Sequence, residues 1–504
     1  MSMQALRHFF ASLFSATPYP TIDTDEVYPL HFLDNLSTGR VIVLSETLRF
    51  NEVLDVIKLR DGLTKLIHHG HWRKLGGRLR MQPGGSLEIR VPKEFTQERP
   101  AVRFTNEVLD IDIEEHNLGR RFPKPTDGPS LQAGPTSFGQ FNTTPDGPVT
   151  LQDYLCGDQA ILGLHTTSFK NATLVAVVWP HAVAGALGVK EILSAWSKAL
   201  QGEDNIPPLL GAREDILDGV GTDIDRQVPY TPGSDQIKGW GFTKFFVRLL
   251  WTVLWRPRVE SRTIFLPRQF VSQLRSTSIK EIEAVHEGLR DPFVSEGDVL
   301  TAWTSRFVAQ ARGGKRPGLI FNPLDITSRL RAPWQPGGSY VQNLAGAMYT
   351  TVGADVLVKK PLGELAYAVR QSIQQQATDE QIRAQMRIFR TLGHAKPEPL
   401  YGDPNSQLVA FSNWTKFDMF NAVDFSSLVS TTSSPRVADS PLGRPVYMHC
   451  VSLGENRFQR DCFVITGKDL KGNYWITAFL YPSDWQDLED YIQQTWERTS
   501  SQTF

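Results

Sequence analysis

The chain has 504 residues, of which 40% are hydrophobic and 21% are charged, with 53 basic and 54 acidic side chains. This composition is typical of a globular protein with enough residues for two or three domains. The charges balance, so the chain lacks the basic excess of nucleic-acid-binding proteins, and no nucleic-acid partner is expected.

The three cysteines, Cys156, Cys450 and Cys462, are widely separated and show no CxxC or Cys/His spacing of a zinc site. We therefore expect neither a disulfide framework nor a bound metal. The N-terminal 20 residues contain a short apolar run, but it includes His8 and lacks a small-residue cleavage site, so it is not predicted to be a signal peptide. Together these features predict a cytoplasmic location.

The first half of the chain alternates helical and strand patterns. Apolar residues at helical spacing predict a helix over residues 54–68, and the run LVAVV predicts a buried strand over residues 174–178. A helical period returns over residues 189–200. His181 therefore lies in the connection that leaves a buried strand and enters a helix, where a rigid scaffold aims a side chain.

A stretch rich in Gly, Pro and Asp, residues 202–238, predicts a domain boundary. We divide the chain into an N-terminal domain (1–205), a linker or crossover (206–260) and a C-terminal domain (261–504). Residues 241–255 combine Trp and Phe with Lys and Arg and are too few to span a bilayer. A surface-packed amphipathic helix is favoured and membrane contact is not expected; the alternative is an interfacial anchor.

The second half predicts helices at residues 267–276 and 297–310, and Ser295 with Asp298 has the spacing of a capping box. Strands are predicted at residues 318–321, 462–466 and 474–480. Mixed helices and strands without strict alternation indicate an α/β fold in each half.

Residues 179–188, WPHAVAGALG, resemble the HxxxD loop of the BAHD-type acyltransferases, specifically the fungal branch with its WPHxxxDALG pattern. Five further segments resemble motifs of that family in the same order. They are residues 72–79 (WRKLGGRL), 295–303 (SEGDVLTAW), 340–343 (YVQN), 411–414 (FSNW) with Asp424 and Phe425, and 467–475 (GKDLKGNYW).

The resemblance implies two chloramphenicol-acetyltransferase-like domains of similar size around a central channel, an arrangement that functions as a monomer. It implies that His181 is the general base and that the indole N–H of Trp414 stabilises the oxyanion; a purely structural buried tryptophan is the alternative. Asn413 is expected to orient Trp414 or to contact ligand, and Asp424 to be structural. No permanently bound cofactor is implied, and acyl-CoA is the expected co-substrate.

The chain departs from the family at Gly185, which occupies the position of the HxxxD aspartate. In the family this aspartate pairs with an arginine of a DxR segment, and Thr327 stands where that arginine would be. Loss of both partners avoids the cost of about 3–5 kcal/mol for an uncompensated buried charge. A shift of the alignment by two residues would instead make Arg329 the surviving partner.

The predicted function is CoA-dependent acyl transfer to a hydroxyl or amine of a fungal secondary metabolite. The alternative is a non-canonical member of the family that uses His181 for an intramolecular condensation, cyclisation or elimination without acyl-CoA.

Overall fold

A computed structural model describes residues 17–202, 206–222, 228–393, 396–429, 441–454 and 458–501. Most of the N-terminal segment considered above as a signal peptide, residues 1–16, lies outside the described residues.

The strands of the described residues are, in chain order, β1 (Glu26–Pro29), β2 (Val43–Phe50), β3 (Arg78–Met81), β4 (Leu87–Val91), β5 (Arg103–Val108), β6 (Ser130–Ala133), β7 (Gly163–Ser168), β8 (Thr173–Pro180), β9 (Leu209–Leu210), β10 (Glu260–Leu266), β11 (Gly318–Asp325), β12 (Ser339–Tyr340), β13 (Ala345–Val352), β14 (Gln407–Asn413), β15 (Tyr447–Leu453), β16 (Cys462–Lys468) and β17 (Tyr474–Leu480).

The α-helices of the same residues are α1 (Val56–His68), α2 (Gly139–Asn142), α3 (Leu151–Cys156), α4 (Ala186–Leu200), α5 (Gly239–Trp255), α6 (Arg268–Val285), α7 (Glu296–Ala311), α8 (Ala354–Val358), α9 (Leu362–Gln376), α10 (Asp379–Leu392), α11 (Met419–Ala422) and α12 (Asp484–Ser501).

A five-stranded sheet with the order β15-β2-β8-β7-β5 forms the first layer. Its central strand β8 is buried along its whole length, which explains why its sequence is continuously apolar instead of alternating. Helices α1 and α4 share one hydrophobic core with this sheet, and Trp196 of α4 donates a hydrogen bond to the backbone carbonyl of Leu59 in α1 (3.1 Å).

A seven-stranded mixed sheet with the order β13-β11-β14-β16-β17-β10-β6 forms the second layer. Strands β16 and β17 are antiparallel neighbours joined by a short turn, and β14 runs parallel to both β11 and β16. Helices α6, α7, α9 and α12 contribute to the core around this sheet. The observed sheets and helices confirm the predicted α/β class.

The two large sheets exchange strands along the chain. Strand β6, from the first domain of the sequence-based division, pairs with β10 in the seven-stranded sheet, and β15, from the second domain, pairs with β2 in the five-stranded sheet. The division at residues 206–260 therefore does not separate the sheets strictly. A local composition shift predicts a linker, but it carries no information on which distant strand completes a sheet edge.

The predicted helices and strands lie where expected, and all but one of them differ from the prediction only by a few residues at their ends. Helix α7 begins with the predicted capping box, in which Ser295 and Asp298 each accept from the other's backbone N–H. Strand β17 has the predicted bounds, and helix α6 extends well beyond residue 276 to Val285. Ser278 and Ile282 continue the buried face of that helix at helical spacing.

Residues 239–255 form helix α5 on the molecular surface. Two of its own side chains, Phe245 and Val253, are buried. In the described part of the chain no helix combines the length and the apolar character needed to cross a bilayer.

Candidate functional site

A cavity of about 350 Å³ is lined by residues from both large sheets. His181 and Gly185 reach it from the end of β8, and Asn413 and Trp414 reach it from the end of β14. Of the residues predicted from sequence, Thr327 and Asp424 do not line this cavity. Its other polar lining residues include Asn322, Asp325, Arg329, Asn343, Ser412 and Lys416.

His181 is held by the backbone that surrounds it. Its N–H donates to the carbonyl of Ile42 (2.8 Å), which extends the antiparallel pairing of β8 with β2 by one residue. The turn that follows is closed by the indole N–H of Trp179, which donates to the carbonyl of Ala184 (2.9 Å). The side chain therefore leaves a rigid strand end and points to the cavity.

The His181 ring lies with its Nδ1 buried and without a hydrogen-bond partner among the described residues. A Cβ on Gly39 would stand 3.7 Å from this nitrogen, so the backbone at Gly39 closes that side of the ring. Burial lowers the pKa of the imidazole, while its own backbone carbonyl and the Asp34 carboxylate partly oppose this shift. The ring is therefore neutral near pH 7, the form that accepts a proton.

The backbone carbonyl of His181 accepts a hydrogen bond from the side-chain amide of Asn343 (2.9 Å). The same amide nitrogen donates to Asp34 (2.9 Å), as does the backbone N–H of Asn343 (2.7 Å). Asp34 is thus fixed to the His181 loop through a single side chain.

Asp34 and Lys74 are both about 1% exposed. Burial raises the pKa of Asp34, and Lys74, His31 and the two Asn343 donors oppose that shift. Burial lowers the pKa of Lys74, and the carboxylates of Asp34 and Asp215 oppose it. The two side chains therefore stabilise each other's charged form beneath the loop.

Gly185 is the N-cap of α4 and has an ordinary extended backbone, with φ −86° and ψ −168°. A glycine is therefore favoured at this position by the lack of space for a Cβ and not by the backbone conformation. A Cβ at this position would lie 2.8 Å from Oδ1 of Asn343, and no atom of Thr327 or Arg329 lies among the nearest neighbours of that point. Thr327 instead donates its hydroxyl to Asp325 (2.8 Å). The neighbour of Gly185 is Asn343, a contact that no sequence motif indicated.

The indole N–H of Trp414 donates to the hydroxyl of Ser412 (2.9 Å). Both side chains line the cavity and are partly buried. Because the Ser412 oxygen accepts a hydrogen bond from the indole, the Ser412 hydroxyl can donate its own proton to another acceptor. The resemblance of the FSNW segment singled out Trp414 but not Ser412.

Asn413 accepts hydrogen bonds from the backbone N–H (2.9 Å) and hydroxyl (2.8 Å) of Thr415. Its side-chain nitrogen lies 2.6 Å from where a Cβ on Gly297 would be, so it packs closely against the first turn of α7. Asn413 therefore fixes the turn that carries Trp414 beside the N-terminus of a helix.

Asp424 forms an ion pair with Arg444 (3.0 Å) and accepts from the backbone N–H of Ser426 (3.1 Å). Its own N–H donates to the hydroxyl of Ser197 in α4 (3.0 Å). These contacts lie away from the cavity and tie the segment after α11 to the helix that follows the His181 loop.

Comparison with known proteins shows relatives over nearly the whole chain. Acetyltransferase pyiB of Pyricularia grisea is 53% identical over 494 residues, covering 97% of this chain and 98% of the relative. The chain belongs to the fungal BAHD-type acyltransferases. A second member, O-acetyltransferase PaAT-2 of Phomopsis amygdali, is 36% identical over 489 residues, covering 94% of this chain and 99% of the relative.

No model of a protein family matches the chain. Among solved structures, F. graminearum TRI101 in complex with coenzyme A and T-2 mycotoxin superposes with a TM-score of 0.66. The match covers 92% of this chain and 97% of TRI101 at 16% identity, which shows a shared fold. This acyltransferase accordingly has the two-domain fold that its resemblance to the family implied.

Proposed function

We propose that this enzyme transfers an acyl group from acyl-CoA to a hydroxyl or amine of a fungal secondary metabolite, with His181 as the general base. The observation that carries the proposal is the buried imidazole of His181 at the end of β8, facing a cavity that also receives Ser412 and Trp414. The names of pyiB and PaAT-2 as acetyltransferases support acetyl as the transferred group.

In the proposed reaction, His181 removes the proton from the acceptor O–H or N–H as the acceptor attacks the thioester carbonyl carbon. The carbonyl oxygen becomes an oxyanion that accepts a hydrogen bond from Trp414 or from the Ser412 hydroxyl, which the indole orients. Collapse of the tetrahedral intermediate breaks the C–S bond, and the imidazolium returns its proton to the CoA thiolate. No covalent enzyme intermediate is required.

The lining of the cavity fits a phosphate-bearing co-substrate. Arg370 is already paired with Asp298, through its Nε at 2.7 Å. Arg329 and Lys416 also line the cavity, and within the described part of the chain neither forms an ion pair. Burial and the nearby Arg370 cation lower the pKa of Arg329, and the Asp325 carboxylate opposes this shift, so a further anion beside Arg329 would also stabilise its charge. TRI101, a protein with the same fold, was crystallised with coenzyme A.

Two measurements on one pair of proteins test the proposal: calorimetric binding of CoA and acetyl-CoA, and release of CoA thiol in the presence of a panel of hydroxylated and amine-bearing fungal metabolites. We expect His181→Ala to bind CoA as the unaltered enzyme does and to transfer the acyl group about 10²–10⁴ times more slowly. Full activity of His181→Ala would exclude His181 as the base. His181-dependent conversion of a metabolite by an enzyme that does not bind CoA would exclude acyl transfer and favour the intramolecular alternative.

A further inference from the structure

Helix α5 presents an apolar face to solvent. The residues that follow one another along this face at helical spacing are exposed by more than half of their surface: Trp240 (87%), Val247 (58%), Trp251 (61%), Leu254 (55%) and Trp255 (74%). Trp251 and Trp255 stack on each other with ring centroids 5.3 Å apart. Such a row of large exposed side chains marks an interaction surface rather than ordinary surface apolar residues.

The opposite face of α5 fixes the helix to the body of the protein. Phe245 and Val253 are buried, and the Arg248 guanidinium donates to the carbonyls of Pro404 (2.7 Å) and Ser406 (2.8 Å). The apolar row therefore has a defined direction and faces away from the protein.

The charges carried by the helix and its immediate ends have one sign. Residues 236–259 contain no Asp or Glu and carry five cations, Lys238, Lys244, Arg248, Arg256 and Arg258. At the C-terminal end, the guanidinium of Arg460 donates to the carbonyl of Arg256 (3.2 Å) and adds another positive charge. Asp403 lies near Arg248, whose guanidinium donates to the carbonyl of the next residue, Pro404. The flanking acidic residues are Asp235 and Glu260.

We propose that the outward face of α5 binds an anionic lipid surface, with the helix lying in the plane of the membrane interface. Tryptophans in a row place their rings at the depth of the headgroups, and cations at both ends of the helix attract anionic lipids. The helix has 17 residues, about 25 Å in length, and lies flat on the protein. This geometry suits adsorption to one leaflet.

A second copy of the chain is a less suitable occupant of the same face. The cations lie at both ends of α5, so a parallel or an antiparallel pairing of two such helices would bring like charges together. An anionic lipid surface instead complements both the apolar row and its basic ends.

Co-sedimentation of the full-length enzyme with vesicles tests this inference. We compare vesicles of phosphatidylcholine alone with vesicles in which a third of the lipid is phosphatidylserine. We expect binding to the anionic vesicles, weakened several-fold when salt rises from about 0.1 M to about 1 M and the Debye length falls from about 10 Å to about 3 Å. Equal binding to both vesicles, or binding to neither, would overturn the proposal.

The test variant is Trp251→Ser combined with Trp255→Ser, and the matched control is Val108→Ser, which changes a 71%-exposed apolar residue of β5. We expect the double variant to lose about ten-fold or more of its vesicle binding, with CoA binding and acyl transfer in solution unchanged and the control binding as the unaltered enzyme does. Light scattering without lipid is measured in parallel. If the unaltered enzyme is a dimer and the double variant is a monomer, the face binds a second copy of the chain. That result would overturn the lipid proposal.

Discussion

The side-chain amide of Asn343 joins the backbone carbonyl of His181 to the buried carboxylate of Asp34. The sequence resemblance predicts that an aspartate four residues after the histidine would hold this loop through an arginine. Here the side-chain amide of Asn343 holds the loop by donating both of its protons, one to His181 and one to Asp34. Gly185 leaves the space into which the Asn343 oxygen fits. These contacts of Asn343 hold the loop that carries His181.

Restoring the family motif by Gly185→Asp is expected to impair the enzyme. The new side chain would meet Oδ1 of Asn343 at 2.8 Å and place a second carboxylate beside the side chain that binds the buried Asp34. We expect a loss of about 2–4 kcal/mol in the free energy of unfolding and at least a ten-fold fall in kcat. Denaturant unfolding and steady-state kinetics measure the two effects.

Gly185→Ala separates the steric effect from the charge. It adds the same Cβ without the carboxylate, so it should show part of the stability loss, with the remainder appearing only in Gly185→Asp. A Gly185→Asp variant as stable and as active as the unaltered enzyme would contradict the role given to Asn343.

Asp34→Asn is expected to shift the pH profile. His181 must be neutral to accept a proton, so kcat/KM rises with pH through the pKa of His181. Burial holds that pKa below its ordinary value of about 6.5, and the Asp34 charge raises it. Removing the charge lowers the pKa further, and the acid limb of kcat/KM should move to lower pH.

The matched control is Asp110→Asn, in which the carboxylate that is removed is almost fully exposed. It should leave the acid limb in place. Asp34→Asn should also lower the free energy of unfolding by about 1–3 kcal/mol, because the buried Lys74 loses one of its two counter-charges and keeps only Asp215. An acid limb that stays fixed, or moves to higher pH, would show that Asp34 does not act on His181.

Trp414→Phe and Ser412→Ala test the oxyanion contact. Each removes one member of the pair joined at 2.9 Å. A group that stabilises only the transition state affects kcat and leaves KM nearly unchanged. We expect kcat to fall about 10²–10³-fold in the variant that removes the direct donor, and less in the other. If both variants raise KM alone, the pair binds substrate and does not stabilise the oxyanion.

Arg329→Gln is expected to weaken the use of acyl-CoA. The variant removes a cavity cation that forms no ion pair within 4.0 Å in the described part of the chain, with Asp325 as the nearby carboxylate. A lost charge-assisted contact of about 1.5–3 kcal/mol corresponds to a KM for acyl-CoA raised about 10–150-fold, with kcat little changed. Arg60→Gln, on the exposed surface of α1, is the control. An unchanged KM for acyl-CoA would remove Arg329 from the proposed co-substrate site.

The sequence alone determined the features that depend on neighbouring residues. The continuous apolar run of β8, the helical period of α4 and the Ser295–Asp298 capping box follow from backbone geometry over a few residues, and each was predicted. The same local pattern placed His181 between a strand and a helix. It also indicated the family to which the chain belongs.

Only the tertiary structure decided which distant residues complete the sheets and the site. Strands β6 and β15 cross to the sheet of the other half, and Asp34 and Asn343, 309 residues apart, meet beneath the loop of His181. A polar residue in a short turn carries no sequence signal of a partner so far away, because the contact depends on how whole layers pack. For the same reason, the resemblance to the family motif could only draw attention to Gly185, while the structure showed that Asn343 is its neighbour.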